Sequence, residues 1–347
     1  MENSGTDGKL FMEIVIRMRV IFATTICGFL LLVCGAHAQQ IPRTVFSEWK
    51  SKVDPAVERG LQFLAESQER NGSFPENYGT STGIPSLVGM AFLSKGHMPT
   101  EGPYAANINR CIDYVLQHQQ RSGLFVAGHA GSGPMYAHNI STLFLSEVSG
   151  MVDPERQKRV KSSLARALQL ILRAQRVPKS EKHQGGWRYH PQSRDSDTSC
   201  SGWALMALRS AKLNGAAVPD RAIEDAVEYL YRHYDDRLGS FGYSDRTSHK
   251  ESLTGMGLLC LELCGEHGKP ATIKAGEFVL RNHRRLRNYR LSTMGITTLP
   301  RVCFSWEASI GKHMRTGCMN PTSLSSSRMV RGTAVRQDGS MERPLWF

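Results

Sequence analysis

Cysteine is scarce in this sequence, and the cysteines it has are scattered. There are 8 in 347 residues, and away from the two ends of the chain only Cys111, Cys200, Cys260 and Cys264 remain, with no CxxC pair. Scattered cysteines in a long chain do not make a disulfide framework. We therefore predict buried thiols, with one disulfide as the alternative in an oxidising compartment.

Long hydrophobic runs are missing as well. The apolar run Val20–Val33 follows a basic start and ends before Ala36-His37-Ala38. It is too short to span a membrane comfortably, and its flanks are those of a secretory signal peptide. We predict cleavage after Ala38 and export to the periplasm or the extracellular space, with no membrane span in the mature chain. An uncleaved membrane anchor is the alternative.

The main part of the chain lacks a strong charge of one sign. The formal net charge is +12, but the segment from Arg281 to the end holds 12 Lys+Arg against 3 Asp+Glu. Residues 39–280 carry only about +3. Binding to the phosphates of a nucleic acid requires a cluster of basic residues, and residues 39–280 show no such cluster. We therefore predict no nucleic-acid binding.

Period-two alternation is also absent, which argues against β-structure, but a helical repeat is present. Each copy starts with a charged residue, most often Arg. An aromatic or aliphatic residue follows four positions later with an aliphatic one beside it, and the copy ends one turn further on, most often in Gln. The copies are Arg59–Gln68, Arg110–Gln119, Arg166–Gln175, Asp225–Tyr234 and Lys274–His283. A Gly-x-aromatic turn follows each of the first four, at Gly72–Phe74, Gly123–Phe125, Gly185–Trp187 and Gly239–Phe241.

Each copy predicts a helical hairpin. The first helix is amphipathic, and Asp54-Pro55, Asp153-Pro154 and Pro219-Asp220 supply start signals for three of these helices. The second helix is nearly all apolar, so the hairpins should form an outer polar layer and an inner apolar layer. The turn aromatics are expected to pack between hairpins. Periodicity alone leaves both a closed ring and an open solenoid possible.

The N-terminal pattern and the extent of the repeat together predict three regions: a signal peptide at 1–38, a repeat domain at 39–282 and a basic tail at 283–347. In the tail the repeat pattern is lost and arginines accumulate. We interpret it as a frameshifted copy of the last hairpins, because Gly295–His313 read one base out of frame can encode an HYY…FQLGG…YW segment. A divergent, disordered extension is the alternative.

The repeat pattern resembles that of squalene–hopene cyclases, oxidosqualene cyclases and protein prenyltransferase β subunits. This resemblance implies an all-α, α/α toroid of about five helical hairpins around an apolar cavity, incomplete at the C-terminus. The stretches Gly133–His138, Thr142–Leu145 and Gly185–Tyr189 also resemble a group of exported bacterial proteins with this repeat.

In the cyclases of this family, a D-x-D-D-T motif supplies the acid that protonates the substrate. Here the corresponding segment is Arg194–Thr198, with Asp197 at the last aspartate and Ser196 at the protonating position. A serine hydroxyl is too weak an acid for that step. The resemblance therefore does not predict standard cyclase chemistry.

The prenyltransferases bind zinc through an Asp, a Cys and a His. In this sequence Asp197 fits the first position, but Cys200 and His249 each lie one residue late, and one residue turns a helical side chain by about 100°. We expect no metal and no cofactor, with zinc held by Asp197, Cys200 and His249 as the alternative.

Four residues are weak catalytic candidates. Asp195 and Asp197 precede an inner helix and are either helix caps or functional carboxylates. His138, which with Tyr136 opens an inner helix, either bonds the backbone or binds a ligand. Glu147 lies in an apolar run, where it faces a cavity or pairs with an arginine.

The leading functional hypothesis is binding of an apolar or polyprenyl-like ligand, or of a protein partner, in the concavity of the inner layer. Tyr136, His138, Asp195, Asp197 and His249 would line one rim of this concavity. An unconventional terpene cyclase or prenyltransferase is the enzyme alternative. A structural repeat scaffold with a filled core is the third possibility.

Overall fold

The computed structural model describes residues 43–75, 81–128, 133–248 and 251–288, with side chains for 50–75, 81–128, 133–248 and 251–282. The predicted signal peptide and the tail beyond residue 288 lie outside the described residues. The chain divides into two compact units, Met1–Gly60 and Leu61–Phe347. In the first unit, helix α1 begins at Arg43 and Pro55 lies inside it, so the predicted start at Asp54-Pro55 was wrong. The i,i+4 ion pair of Lys50 with Asp54 supports the helix upstream of the proline.

The described part of the chain is almost entirely helical, as predicted. Two strands of two residues each, β1 (Tyr234–Asp235) and β2 (Ser240–Phe241), pair antiparallel within the fourth turn and are too short to show alternation. A 3-10 turn spans Glu181–His183. The α-helices are α1 (Arg43–Glu66), α2 (Gly83–Ser94), α3 (Ala105–Gln117), α4 (Met135–Glu147), α5 (Pro154–Gln175), α6 (Thr198–Leu213), α7 (Asp220–Arg232), α8 (Glu251–Leu263) and α9 (Pro270–Asn288).

The helices form the two predicted layers. The inner helices α2, α4, α6 and α8 each pack against the next, and α3, α5, α7 and α9 cover them from outside. Most residues of the inner helices α4, α6 and α8 are buried and half of those of α2, whereas the outer helices bury one face. Both helices of four hairpins are thus described, and α9 opens a fifth. This layering is common to α/α toroids and curved solenoids.

The repeated glutamines connect neighbouring hairpins. Gln119 donates one amide hydrogen to the Gly123 carbonyl in its own turn (3.0 Å) and the other to the Ser163 carbonyl in α5 (2.8 Å). Gln68 and Gln175 make the same two kinds of contact with their own turns and with the next outer helix. Each glutamine therefore satisfies two carbonyls and sets the spacing of adjacent repeats.

The repeated turn glycines hold the first residue of the next copy. Gly123 has φ +95°, and a Cβ built on it would lie 2.5 Å from the Arg166 carbonyl oxygen. Only glycine fits both the left-handed backbone and this close approach. Equivalent distances at Gly72, Gly185 and Gly239 are 2.3, 2.1 and 2.7 Å, to the carbonyls of Arg110, Asp225 and Lys274. The contact with Lys274 places α9 in the same register as the earlier copies.

The aromatic residue of each turn is anchored by the following inner helix. The N–H of Phe125 donates to His138 Nδ1 (3.2 Å), and that of Trp187 donates to Ser201 Oγ (2.8 Å). Phe241 repeats this contact with Thr254. The aromatic side chains are buried, as their packing role predicts. The described cysteines are all free, and three of the four are buried, as predicted.

Candidate functional site

Asp197 is the cap of inner helix α6, as one of its two interpretations predicted. Its Oδ1 accepts hydrogen bonds from the Cys200 N–H (2.8 Å) and from Ser199 Oγ (2.7 Å). Asp153 caps α5 in the same way, with Pro154 following as predicted. Asp197 differs from Asp153 because its side chain is completely buried.

The second carboxylate oxygen of Asp197 is left without a hydrogen-bond partner. Arg188 Nε lies 3.7 Å from it, beyond hydrogen-bond distance, and lies 3.6 Å from the half-exposed Asp195. Burial raises the pKa of Asp197, although the bonds from Cys200 and Ser199 and the Arg188 charge oppose the shift. An unpaired buried acceptor of this kind is costly, about 1–3 kcal/mol, and calls for an explanation.

Three tyrosines surround this carboxylate at the N-terminal ends of α4 and α6. The hydroxyl of Tyr136 is hydrogen-bonded to Ser199, and those of Tyr189 and Tyr243 are hydrogen-bonded to each other. The rings of Tyr136 and Tyr189 are 5.7 Å apart. All three side chains are partly exposed. Burial raises the pKa of Tyr136 and Tyr243, so both hydroxyls keep their protons and can donate.

Arg188 joins the tyrosines to the carboxylates. Its guanidinium carbon lies 4.6 Å from the centre of the Tyr189 ring and 5.4 Å from that of Tyr243, both in the range of cation–π contacts. Its pKa is raised because Tyr243, Asp197 and Asp195 outweigh the effect of burial. We refer to the following residues as the rim cluster: Tyr136, Arg188, Tyr189, Asp195, Asp197, Ser199 and Tyr243.

Sequence reasoning missed four members of this cluster as site residues: Arg188, Tyr189, Ser199 and Tyr243. Tyr189 and Tyr243 each stand two positions after a turn aromatic, Trp187 and Phe241, in the third and fourth copies. Arg188 lies between Trp187 and Tyr189. A comparison of the third and fourth turns would have revealed the tyrosine pair.

His138 is not part of the rim cluster, because it points toward the outer layer. Its Nδ1 accepts from Phe125, so Nε2 carries the proton and donates to the Ala167 carbonyl (3.3 Å). Burial lowers its pKa to about 3. His138 is therefore a neutral histidine that bonds the backbone, the structural alternative that its sequence position left open.

Glu147 lies at the opposite end of α4 from the rim cluster. It accepts a hydrogen bond from Ser210 Oγ (2.7 Å), and Ser210 in turn contacts Ser146. Its partner is therefore a serine of α6, and not the arginine that was one of its two interpretations. The structure does not bring Glu147 together with Asp197.

The geometry around Cys200 is unfavourable for zinc. Its thiol donates to the Arg188 carbonyl (3.1 Å), and burial raises its pKa, which disfavours the thiolate that zinc requires. Asp197 already uses one oxygen as a helix cap. His249 lies outside the described residues, and those that are described contain no group of three or more potential His, Cys, Asp or Glu ligands.

The solved structures that align with this chain include two enzymes of different classes. A type II terpene cyclase, MstE from Scytonema, aligns with 67% of this chain and 80% of its own, at 14% identity and a TM-score of 0.35. A family 10 polysaccharide lyase from Cellvibrio cellulosa aligns with 66% of this chain and 91% of its own, at 13% identity and a TM-score of 0.36. No protein-family model matches the chain, and no curated protein matches it. Similarities this distant carry no functional argument.

The structure also bears on membrane insertion. Among the described helices, none combines the length and the apolar character needed to cross a bilayer.

Proposed function

We propose that this chain is an exported protein that binds an apolar molecule carrying a neutral hydroxyl head group, such as a polyprenol, at the rim cluster. The observation behind this proposal is the completely buried Asp197 oxygen that accepts no hydrogen bond. A ligand hydroxyl that donates to this oxygen would remove the cost of leaving it unpaired. Arg188, which lies 3.7 Å away and is partly exposed, would move to admit the head group.

The charges of the rim cluster favour a neutral head group over a diphosphate. One guanidinium, Arg188, faces two carboxyl groups, Asp195 and Asp197. A diphosphate would add negative charge beside these carboxyl groups and would find no uncompensated cation among them. Because Ser199 donates its proton to Asp197, the Tyr136 hydroxyl donates to Ser199. On binding, Tyr136 would exchange this bond for one to the ligand oxygen, while Asp197 accepts from the ligand hydroxyl.

Apolar surface beside the rim cluster would hold the body of the ligand. The partly exposed rings of Tyr136 and Tyr189 offer their faces. At the start of the neighbouring helix α2, Gly83 packs against Ala137, and Ile84 next to it is 36% exposed. An apolar chain that covered these groups would gain about 25 cal/mol for each Å² removed from water.

A titration with matched ligands tests this proposal. We expect geranylgeraniol to bind more tightly than geranylgeranyl diphosphate to the purified full chain. Replacement of Tyr136 by Phe, which keeps the ring, should weaken alcohol binding about 5-fold through one lost hydrogen bond. The control is Tyr231→Phe, because the hydroxyl of Tyr231 donates to Glu266 (2.6 Å) and not to a member of the rim cluster. Tighter binding of the diphosphate, or no binding of the alcohol, would refute the proposal.

Export is supported by the segment from Met18 to Ala38, with its basic start, short apolar core and small-x-small end. Edman sequencing of the protein recovered outside the cytoplasm should begin at Gln39. A start at Met1 or Met18 in that fraction would argue against cleavage.

One observation favours the structural scaffold as a second candidate. Ile140 and Leu143 of α4, and Trp203 and Met206 of α6, are each between 4% and 8% exposed. These apolar stretches of the inner helices therefore offer little free surface to a deeply bound ligand. If the titration shows no ligand at the rim cluster, the scaffold is the function that this burial favours.

A further inference from the structure

The outer helix α5 differs from its neighbours in charge. Its sequence contains six Lys+Arg and one acidic residue, Glu155. The outer helices on either side, α3 and α7, contain one basic and one acidic residue, and two basic and four acidic residues, respectively. We refer to the following exposed cations, five in α5 and one directly after it, as the basic stripe: Lys158, Arg159, Lys161, Arg166, Arg173 and Arg176.

Most of the basic stripe is not neutralised by carboxylates. Lys158 pairs with Glu155 and Arg159 with Asp113. In the described parts of the chain, the other four cations of the stripe form no ion pair. Arg166 and Arg173 instead bond neutral groups, Gln119 and the Ser122 carbonyl. A partner that supplied negative charge would therefore meet no internal competitor at these positions.

The shape of the basic stripe indicates the class of partner. Lys158 and Arg176 are 18 residues apart, which is about 27 Å along a helix. At 100° for each residue, the cations spread over about 160° of the helix circumference. A flat surface contacts a cylinder along a narrow line, whereas a flexible linear polymer can follow both the length and the curvature of this surface.

The residues between the cations argue against two other polyanions. Membrane-surface helices insert apolar side chains, but α5 contributes no exposed large hydrophobic residue to the described surface. Proteins that bind single-stranded nucleic acid stack bases on aromatic side chains, and α5 contains no aromatic residue. An acidic glycan needs neither apolar nor aromatic side chains, because arginine binds its carboxylate or sulfate groups directly.

We propose that the basic stripe is a binding surface for a linear acidic polysaccharide. It is built on the outer layer, independent of the rim cluster. Multiple exposed charge pairs along one helix would give a fast, salt-sensitive association.

Site-resolved lysine acetylation of the full chain tests the proposal, with heparin and polygalacturonate as probes. A measurement of total binding would not locate the site, because the segment from Arg281 onward carries 12 further Lys+Arg that can also bind a polyanion. We expect either polysaccharide to slow acetylation of Lys158 and Lys161 at least 5-fold relative to Lys95 and Lys269. Absence of this protection at low salt would overturn the proposal. Stronger protection by single-stranded DNA or by anionic phospholipid vesicles would also overturn it.

A charge-matched pair of variants provides the second arm. The triple variant Lys161→Gln, Arg173→Gln and Arg176→Gln should weaken polysaccharide binding roughly 10-fold, since each exposed ion pair contributes up to about 5-fold. The control removes the same charge elsewhere, by Lys95→Gln, Arg237→Gln and Lys269→Gln. Equal weakening in both variants would show a net-charge effect and contradict a specific surface.

Discussion

His138 should make this protein sensitive to mild acid. The side chain is completely buried, Phe125 and Ala167 fix it in one neutral tautomer, and burial lowers its pKa from 6.5 to about 3. A histidine whose pKa is lower in the folded state binds its proton only on unfolding, so stability falls as the pH drops below 6.5. This loss continues until the pH reaches the folded pKa near 3.

The size of the effect follows from linkage. A pH of 5.0 lies 1.5 units below the pKa of 6.5 that the histidine has in the unfolded chain. This difference corresponds to about 2 kcal/mol of lost stability relative to pH 7.5. The pKa of His183 and that of His233 are also lowered, chiefly by burial, and act in the same direction. Their contribution cancels when a His138 variant is compared with the parent.

Urea denaturation between pH 5.0 and 7.5 measures this contribution. In the variant His138→Asn, the amide oxygen replaces Nδ1 as the acceptor for Phe125 but does not titrate. We expect the parent to lose about 2 kcal/mol more than this variant over that range. The control, His190→Asn at an exposed position, should follow the parent. Parallel pH profiles for the parent and His138→Asn would refute the reasoning.

Three further predictions concern the turns, the cap and the metal. Gly123→Ala should lower the free energy of unfolding by about 3 kcal/mol or more in chemical denaturation, because its Cβ would meet the Arg166 carbonyl. The control Gly150→Ala, with φ +90° and nothing within 4 Å of the added Cβ, should lower it by only about 1 kcal/mol. Equal losses in the two variants would contradict the contact. Asp197→Ala should lower stability by about 1 kcal/mol through the lost helix cap, and Asp197→Asn by less, since an amide oxygen can still accept from Cys200. An unchanged melting temperature in Asp197→Ala would contradict the cap and leave ligand binding as the only role of this residue. Mass spectrometry of the purified protein should find less than one equivalent of zinc, and stoichiometric zinc that disappears in Cys200→Ala would show this expectation to be wrong.

The repeat made the fold predictable because its residues perform inter-helix tasks that few other residues can. Gln119 must reach two carbonyls, and Gly123 must leave room for a third, so both recur at fixed spacing. The start of α1 was not predictable from Asp54-Pro55, because a favourable signal for a helix start can also occur inside a helix. Periodicity reports on local geometry, and it does not decide which of two possible starts the chain uses.

The candidate site was only partly predictable, for a different reason. The Asp197 cap is a local interaction between residues three apart and is visible in the sequence. The contacts of Arg188 with Tyr243 and of Tyr136 with Ser199 join residues more than 50 positions apart, and only the packing of α6 against α4 and the fourth turn brings them together. The charge of α5 was overlooked because an average over residues 39–280 hides a local excess.

The central claim, that the unpaired oxygen of Asp197 receives a ligand hydroxyl, is tested most directly by carbon-13 NMR of the aspartate carboxyl groups. The Asp197 resonance should titrate above the pKa of an ordinary aspartate, and saturating geranylgeraniol should shift it while the Asp153 resonance stays unchanged. An Asp197 resonance that does not respond to the alcohol, or that responds only to the diphosphate, would contradict the account.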